Sequence, residues 1–142
     1  MYKNSEGYSD PTAGIAMGRM MREYRQEQKE KWRRQHDLKN RSKIYVASKY
    51  AGDTQENVAN AIRYCRFVIE KKCMPIASHL TYPQMLNDNN PCEREMGLMF
   101  GLALLAICDE VWCFGDISPD MELEINEAKR LGKKICCFKG VV

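Results

Sequence analysis

Val111-Trp112-Cys113-Phe114 is a short apolar run that stops at Gly115, and after Asp116-Ile117 a Ser118-Pro119 pair opens a segment carrying Met121, Leu123, Ile125 and Ala128. A short β-branched and aromatic run closed by glycine reads as a strand, and Ser followed by Pro reads as a helix cap and first helical residue. Strand, tight turn and helix N-terminus thus fall between Asp109 and Ala128. A helix start at the end of a strand presents unpaired N–H groups and the positive end of a dipole, which favour a phosphate or carboxylate. A ligand site is expected near Ser118; the competing reading is that Ser118 only caps the helix.

The same unit recurs along the chain. Lys43 to Ser48 predicts a first strand that ends in the loop Lys49–Asp53, where Gly52 sits. Asp53 or Thr54 then caps a helix with Val58, Ala61, Ile62, Cys65, Val68 and Ile69 at helical spacing. Met74 to Ser78 predicts a second strand, with His79 just past its end, and strand–helix–strand in one sheet implies a right-handed crossover. Residues 81–90 are polar and turn-rich, and Pro91 opens a helix that is apolar almost all round from Met96 to Ile107. Such a helix is expected to be buried on a sheet face or in a subunit interface. A last strand, Lys133 to Phe138, follows the Leu131-Gly132 stop. The expected fold is α/β: a Rossmann-like, doubly wound, mainly parallel sheet of about four or five strands, preceded by a long N-terminal helix.

That first helix opens at Asp10-Pro11 and runs without further proline to about Lys39. Ala13, Met17, Met20, Met21, Tyr24 and Trp32 make an apolar stripe beside seven bases, a pattern for packing on its own domain or on a symmetry mate. Residues 1–43 hold eleven Lys and Arg against six acids, while the rest holds eleven against thirteen, so the net +3 divides into +5 and −2. The expected division is an amphipathic arm, 1–42, and a Rossmann-like domain, 43–142. Glu23, Glu27, Glu30 and Asp37 dilute the basic field, so nucleic acid is not the expected partner of the arm; a homo-oligomer is. No stretch reaches the roughly twenty apolar residues of a membrane span, and MYKNSEGYSD lacks a secretion signal's apolar core, which points to the cytoplasm. The seven cysteines include no C-x-x-C pair and have only His36 and His79 beside them. Packing of Cys65, Cys108, Cys113, Cys136 and Cys137 in a reducing compartment is expected, with no metal site.

In an open parallel sheet, ligands bind beyond the carboxyl ends of the strands where strand order reverses. Those ends carry Ser48, Tyr50 and Gly52, then His79 and Tyr82, then Gly115, Asp116 and Ser118, with Glu124 one and a half turns into the next helix. These nine residues are the candidate ligand site. Neither G-x-G-x-x-G nor a P-loop occurs, so no cofactor is expected.

KIYVASKYAGDTQENVANA together with CDEVWCFGDISPDMELEINEAKRLGKKI resembles the nucleoside 2-deoxyribosyltransferase-like superfamily, in particular its small branch in phages and Firmicutes, over about residues 43–138. The resemblance implies a Rossmann-like fold, oligomers with pockets near subunit boundaries, and a nucleoside or nucleoside monophosphate as ligand. Tyr45, Ser48, Tyr50 and Gly52 match its first-strand motif, Asp109 its strand-opening Asp, Ser118 the Ser of its turn and Glu124 the Glu that follows. The glycosidase and transferase members are expected to keep a nucleophilic Glu just after the third strand, where this chain has Phe114-Gly115-Asp116, and Asp120 replaces the turn Gly. The implied function is therefore binding of a nucleoside- or nucleotide-derived small molecule without efficient turnover, for instance an ADP-ribose-type or cyclic nucleotide signal sequestered by a phage anti-defence protein. The alternative is a nucleoside or nucleotide N-glycosidase or deoxyribosyltransferase with Asp116 or Glu124 as the attacking carboxylate. A third reading is an interaction protein whose basic helix does the binding.

Overall fold

The computed structural model describes residues 11–140, which form a helical unit up to Asn40 and an α/β unit from Arg41. The helical unit is one uninterrupted helix, α1 (Pro11–Lys39), with no buried side chain; Trp32 stacks on His36 with ring centroids 4.8 Å apart. Its expected cap, Asp10, lies outside the described residues.

The second unit alternates β1 (Lys43–Ala47), α2 (Thr54–Glu70), β2 (Met74–Ile76), α3 (Pro91–Ala106), β3 (Glu110–Phe114), α4 (Pro119–Arg130) and β4 (Lys134–Phe138). All pairings are parallel, in the order β2-β1-β3-β4, with Tyr45 opposite Val111 and Val111 opposite Ile135. From β1 the chain winds first to one side and then to the other, which is the doubly wound arrangement. Its helices sort by face. Ile44 and Val46 cluster with Val68 of α2 and with Phe114, whereas Tyr45 and Ala47 cluster with Leu105 of α3 and Met121 and Ala128 of α4. Four consecutive buried residues in β1 follow from its place between two covered faces.

Two expectations need correction, for the extent of β2 and for Cys137. β2 stops at Ile76, two residues early, because it is an edge strand containing Pro75, which has no N–H for a ladder; residues 78–80 and 82–84 form 3₁₀ turns. Of α3, expected to be buried on a sheet face or in a subunit interface, the described chain buries Gly101 and Leu105, since one sheet face covers one helix side, and Met96, Met99, Phe100 and Ile107 are exposed on the single chain. Cys108 and Cys113 are buried, but Cys137 is exposed on edge strand β4, where helix cover runs out. No helix among the described residues is long and apolar enough to cross a membrane.

Candidate functional site

β1 and β3 are neighbours whose connections leave to opposite sides, so a crevice opens beyond their carboxyl ends. A cavity of about 320 Å³ lies there, between the loop after β1, the turns after β2, α3 and the start of α4. From α3 it is lined by Arg94, Gly97, Leu98 and Gly101, which recur at helical spacing on one face.

Glu124 lines this cavity, and its Oε1 accepts a hydrogen bond from Tyr45 Oη at 3.0 Å. With Glu124 ionised the single phenol proton is committed to it, so Ser78 Oγ, 2.7 Å from Tyr45 Oη, is the donor in that pair. Oε2 of Glu124 is buried with no hydrogen-bond partner, and no Lys or Arg of the described residues pairs with the carboxylate. Burial pushes the Glu124 carboxyl up to about 7, against the stabilising bond from Tyr45 and helped by the nearby Asp120 charge. The Tyr45 phenol is held well above its ordinary range, by burial first and the Glu124 charge second. Gly101 is what lets Ser78 and Tyr45 meet here: a Cβ on it would stand 3.0 Å from Ser78 Oγ and 3.3 Å from Tyr45 Oη.

Ser48 and His79 form a second pair, Oγ to Nε2 at 2.9 Å. Burial lowers the His79 imidazole to about 4, so near neutral pH it is an uncharged hydrogen-bonding group. The loop that holds Tyr50 is fixed by Asn57, whose Nδ2 donates to the carbonyls of Tyr50 and Ala51 at 3.0 Å each. On the far wall Ser118 caps α4, with Oγ accepting from Met121 N at 3.3 Å, and Arg94 Nη2 lies 3.7 Å from Asp120 Oδ1.

The cavity therefore brings together Ser48, Tyr50, His79, Tyr82, Ser118 and Glu124. Gly52, Gly115 and Asp116 do not line it. Gly52 is exposed in the β1–α2 loop with φ +103°, and Asp116 is exposed past Gly115, whose φ of +72° turns the chain at the end of β3. A Cβ on Gly115 would meet Tyr64 Oη of α2 at 3.7 Å, on the other face of the sheet. Ser78, Arg94, Gly97 and Gly101 were not expected as site residues. The signal for the glycines was their four-residue spacing, which opens one stripe of α3 to a close approach.

A family model described as Domain of unknown function (DUF7768) matches residues 42–138. Comparison with curated proteins gives no match. Among solved structures, that of a 2-deoxyribosyltransferase from the psychrotolerant bacterium Bacillus psychrosaccharolyticus, characterised as a biocatalyst for nucleoside synthesis, matches with a TM-score of 0.58 and 17% identity. The match covers 71% of this chain and 76% of that one. At that identity the likeness concerns the fold, and the α/β unit has the 2-deoxyribosyltransferase-like fold that the sequence resemblance implied.

Proposed function

The chain belongs to the family described as Domain of unknown function (DUF7768), and we propose that it breaks or transfers the N-glycosidic bond of a nucleoside, with Glu124 as the attacking carboxylate. One observation carries this reading: a buried carboxylate in a cavity, held among the described residues by a single phenol, with its second oxygen unpartnered and no counter-cation there. Such an arrangement is unfavourable for stability and is characteristic of functional sites. In the proposed step a Glu124 oxygen bonds to the anomeric carbon, the carbon–nitrogen bond breaks, and the base leaves with that electron pair and takes a proton from water. Water, or a second base in a transfer reaction, then attacks the same carbon and releases the carboxylate.

Asp116, exposed and outside the cavity, is not the nucleophile in this reading. A volume of about 320 Å³ lies at the small end of the roughly 300–1,000 Å³ of ligand pockets, which supports one nucleoside over an ADP-ribose-type ligand. The exposed Met96, Met99, Phe100 and Ile107 of α3 support a homo-oligomer, and a scattering mass of one chain at micromolar concentration would oppose it.

The test is incubation of purified protein with a panel of ribo- and deoxyribonucleosides, alone and with a second free base, followed by chromatography. Release or exchange of base that is lost in Glu124→Gln supports the reading. Recovery of every nucleoside intact, with thermal stabilisation by one of them, makes the protein a binder instead.

A further inference from the structure

We propose that Asp120, through its pairing with Arg94, makes the cavity select a ligand without a phosphate group: a nucleoside and not its 5′-monophosphate. This rests on the reading of the cavity as a nucleoside site and names the class of nucleoside compound that it admits.

The feature that would otherwise draw a phosphate is the N-terminus of α4, whose amide groups and dipole favour an anion. Part of its first turn is already answered from within. Pro119 has no N–H, and the Met121 amide is engaged by Ser118 Oγ. Asp120, which lines the cavity, places a carboxylate at the positive end of the dipole. The guanidinium of Arg94, which lines the same wall and has the fork geometry for a phosphate, lies 3.7 Å from the Asp120 carboxylate.

The lining as a whole carries more acidic than basic groups. Lys49 and Arg94 face Asp88, Glu93, Asp120 and Glu124, so two cations stand against four carboxyl groups. A phosphate dianion would enter a field that opposes it, whereas an uncharged nucleoside meets no such penalty and offers sugar hydroxyls as donors to the carboxylates. The Arg94–Asp120 pair has little to do with stability, because its side chains are 60% and 54% exposed and pairs at that exposure contribute little. Its effect falls on what enters the cavity. Removing the Asp120 charge frees Arg94 and takes a negative charge from the helix terminus in one change, so this position decides between the two ligand classes.

The experiment measures affinity by calorimetry for the nucleoside that best stabilises the wild type, for its 5′-monophosphate and for inorganic phosphate. The proteins are wild type, Asp120→Asn, Asp120→Asn with Arg94→Gln, and Glu122→Gln, which alters an exposed acid of the same turn that does not line the cavity. Wild type is expected to bind the nucleoside at least tenfold more tightly than the monophosphate. Asp120→Asn should close that gap at least tenfold by strengthening the monophosphate, the double variant should restore it, and Glu122→Gln should leave it in place. A wild type that prefers the monophosphate, or an Asp120→Asn protein with an unchanged ratio, overturns the proposal. If no nucleoside binds wild type, the glycosidic reading fails, and inorganic phosphate decides alone. Phosphate bound by Asp120→Asn and not by wild type supports the gate, and no gain overturns it.

Discussion

Ile44 and Val46 turn to the α2 face of the sheet and Tyr45 and Ala47 to the α3/α4 face, so one strand samples two kinds of interior. On the α2 face the filling is aromatic: Tyr64, Phe114 and Phe138 stack at 4.6 and 5.2 Å, and Phe67 meets Phe114 edge-on at 5.9 Å. On the other face a phenol, a serine and a carboxylate lie against Gly101, beside a cavity. The first face buries surface and satisfies no special chemistry, which is what stabilises a fold. The second holds a carboxyl raised from 4.5 to about 7, and a group with its folded value raised favours the folded state most when protonated. That contribution is complete below about pH 4.5 and is lost as pH rises through about 7, an effect on the order of 3 kcal/mol. The fold is thus held from one side, while the other carries a buried carboxyl that costs stability above about pH 7.

The largest expected effect falls on the α2 face. Phe114→Ala should lower unfolding free energy by about 3–5 kcal/mol in denaturant titrations, since it empties the middle of the aromatic stack. Nucleoside affinity of the remaining folded protein should stay within about threefold, because Phe114 does not line the cavity. A large loss of affinity with little loss of stability would erase the distinction between the faces.

Glu124→Gln is the converse experiment. Base release should fall by at least about a hundredfold, as expected for a group that acts in the transition state. At pH 8 the variant should be more stable than wild type by up to about 3 kcal/mol, a gain that vanishes near pH 4. In wild type, base release should rise as pH passes through about 7, where the carboxyl ionises. A variant less stable than wild type at pH 8 would make Glu124 a structural residue.

How much of this was legible in the sequence follows the same division. KIYVA and EVWCF are short, β-branched and aromatic, and between them they placed the two central strands to within a residue. Ser118-Pro119 placed the start of α4, and counting from there brought Glu124 to the cavity. Asp116 misled because nearness in sequence to the end of β3 says nothing about direction, which Gly115 sets with its positive φ. Ser78 was read as the last residue of a strand that Pro75 in fact shortens, so its bond to Tyr45 had no local signal. Arg94 belongs to a polar first turn, and only the packing of α3 beside α4 gives it a place on the cavity wall.

Gly101→Ala sharpens the comparison at a smaller scale. Replacing Gly by Ala in a helix adds about 1 kcal/mol of propensity, while the new methyl, 3.0 Å from Ser78 Oγ and 3.3 Å from Tyr45 Oη, brings overpacking of about 1–3 kcal/mol. A net loss of about 1 kcal/mol is expected, with base release reduced about tenfold as the Tyr45–Glu124 bond shifts. Its pH midpoint should move above wild type's about 7, since the bond from Tyr45 favours the ionised carboxylate. An unmoved midpoint would show that the Ser78–Tyr45 pair tolerates the methyl without passing the change to Glu124.

The smallest effect is expected at Ser118, which belongs to both functions at once. Its Oγ accepts from Met121 N at 3.3 Å, and it also lines the cavity. Removing an N-cap hydroxyl costs typically about 1 kcal/mol, and Ser118→Ala should show that loss in thermal unfolding. The bond from Glu122 N to the Ser118 carbonyl, 3.0 Å, is retained because the substitution leaves the backbone in place. The capping bond uses a lone pair of the hydroxyl and leaves its proton free, so a ligand contact would appear separately as lost affinity. We expect affinity for a nucleoside to change by less than about threefold, because the hydroxyl's main partner is the helix itself. Ser118→Asp separates the roles further: a carboxylate caps as well as a hydroxyl, so stability should return, while a second negative charge beside Asp120 should weaken any phosphorylated ligand more than a nucleoside. Unchanged stability in Ser118→Ala together with a tenfold loss of nucleoside affinity would move Ser118 from the scaffold to the binding surface.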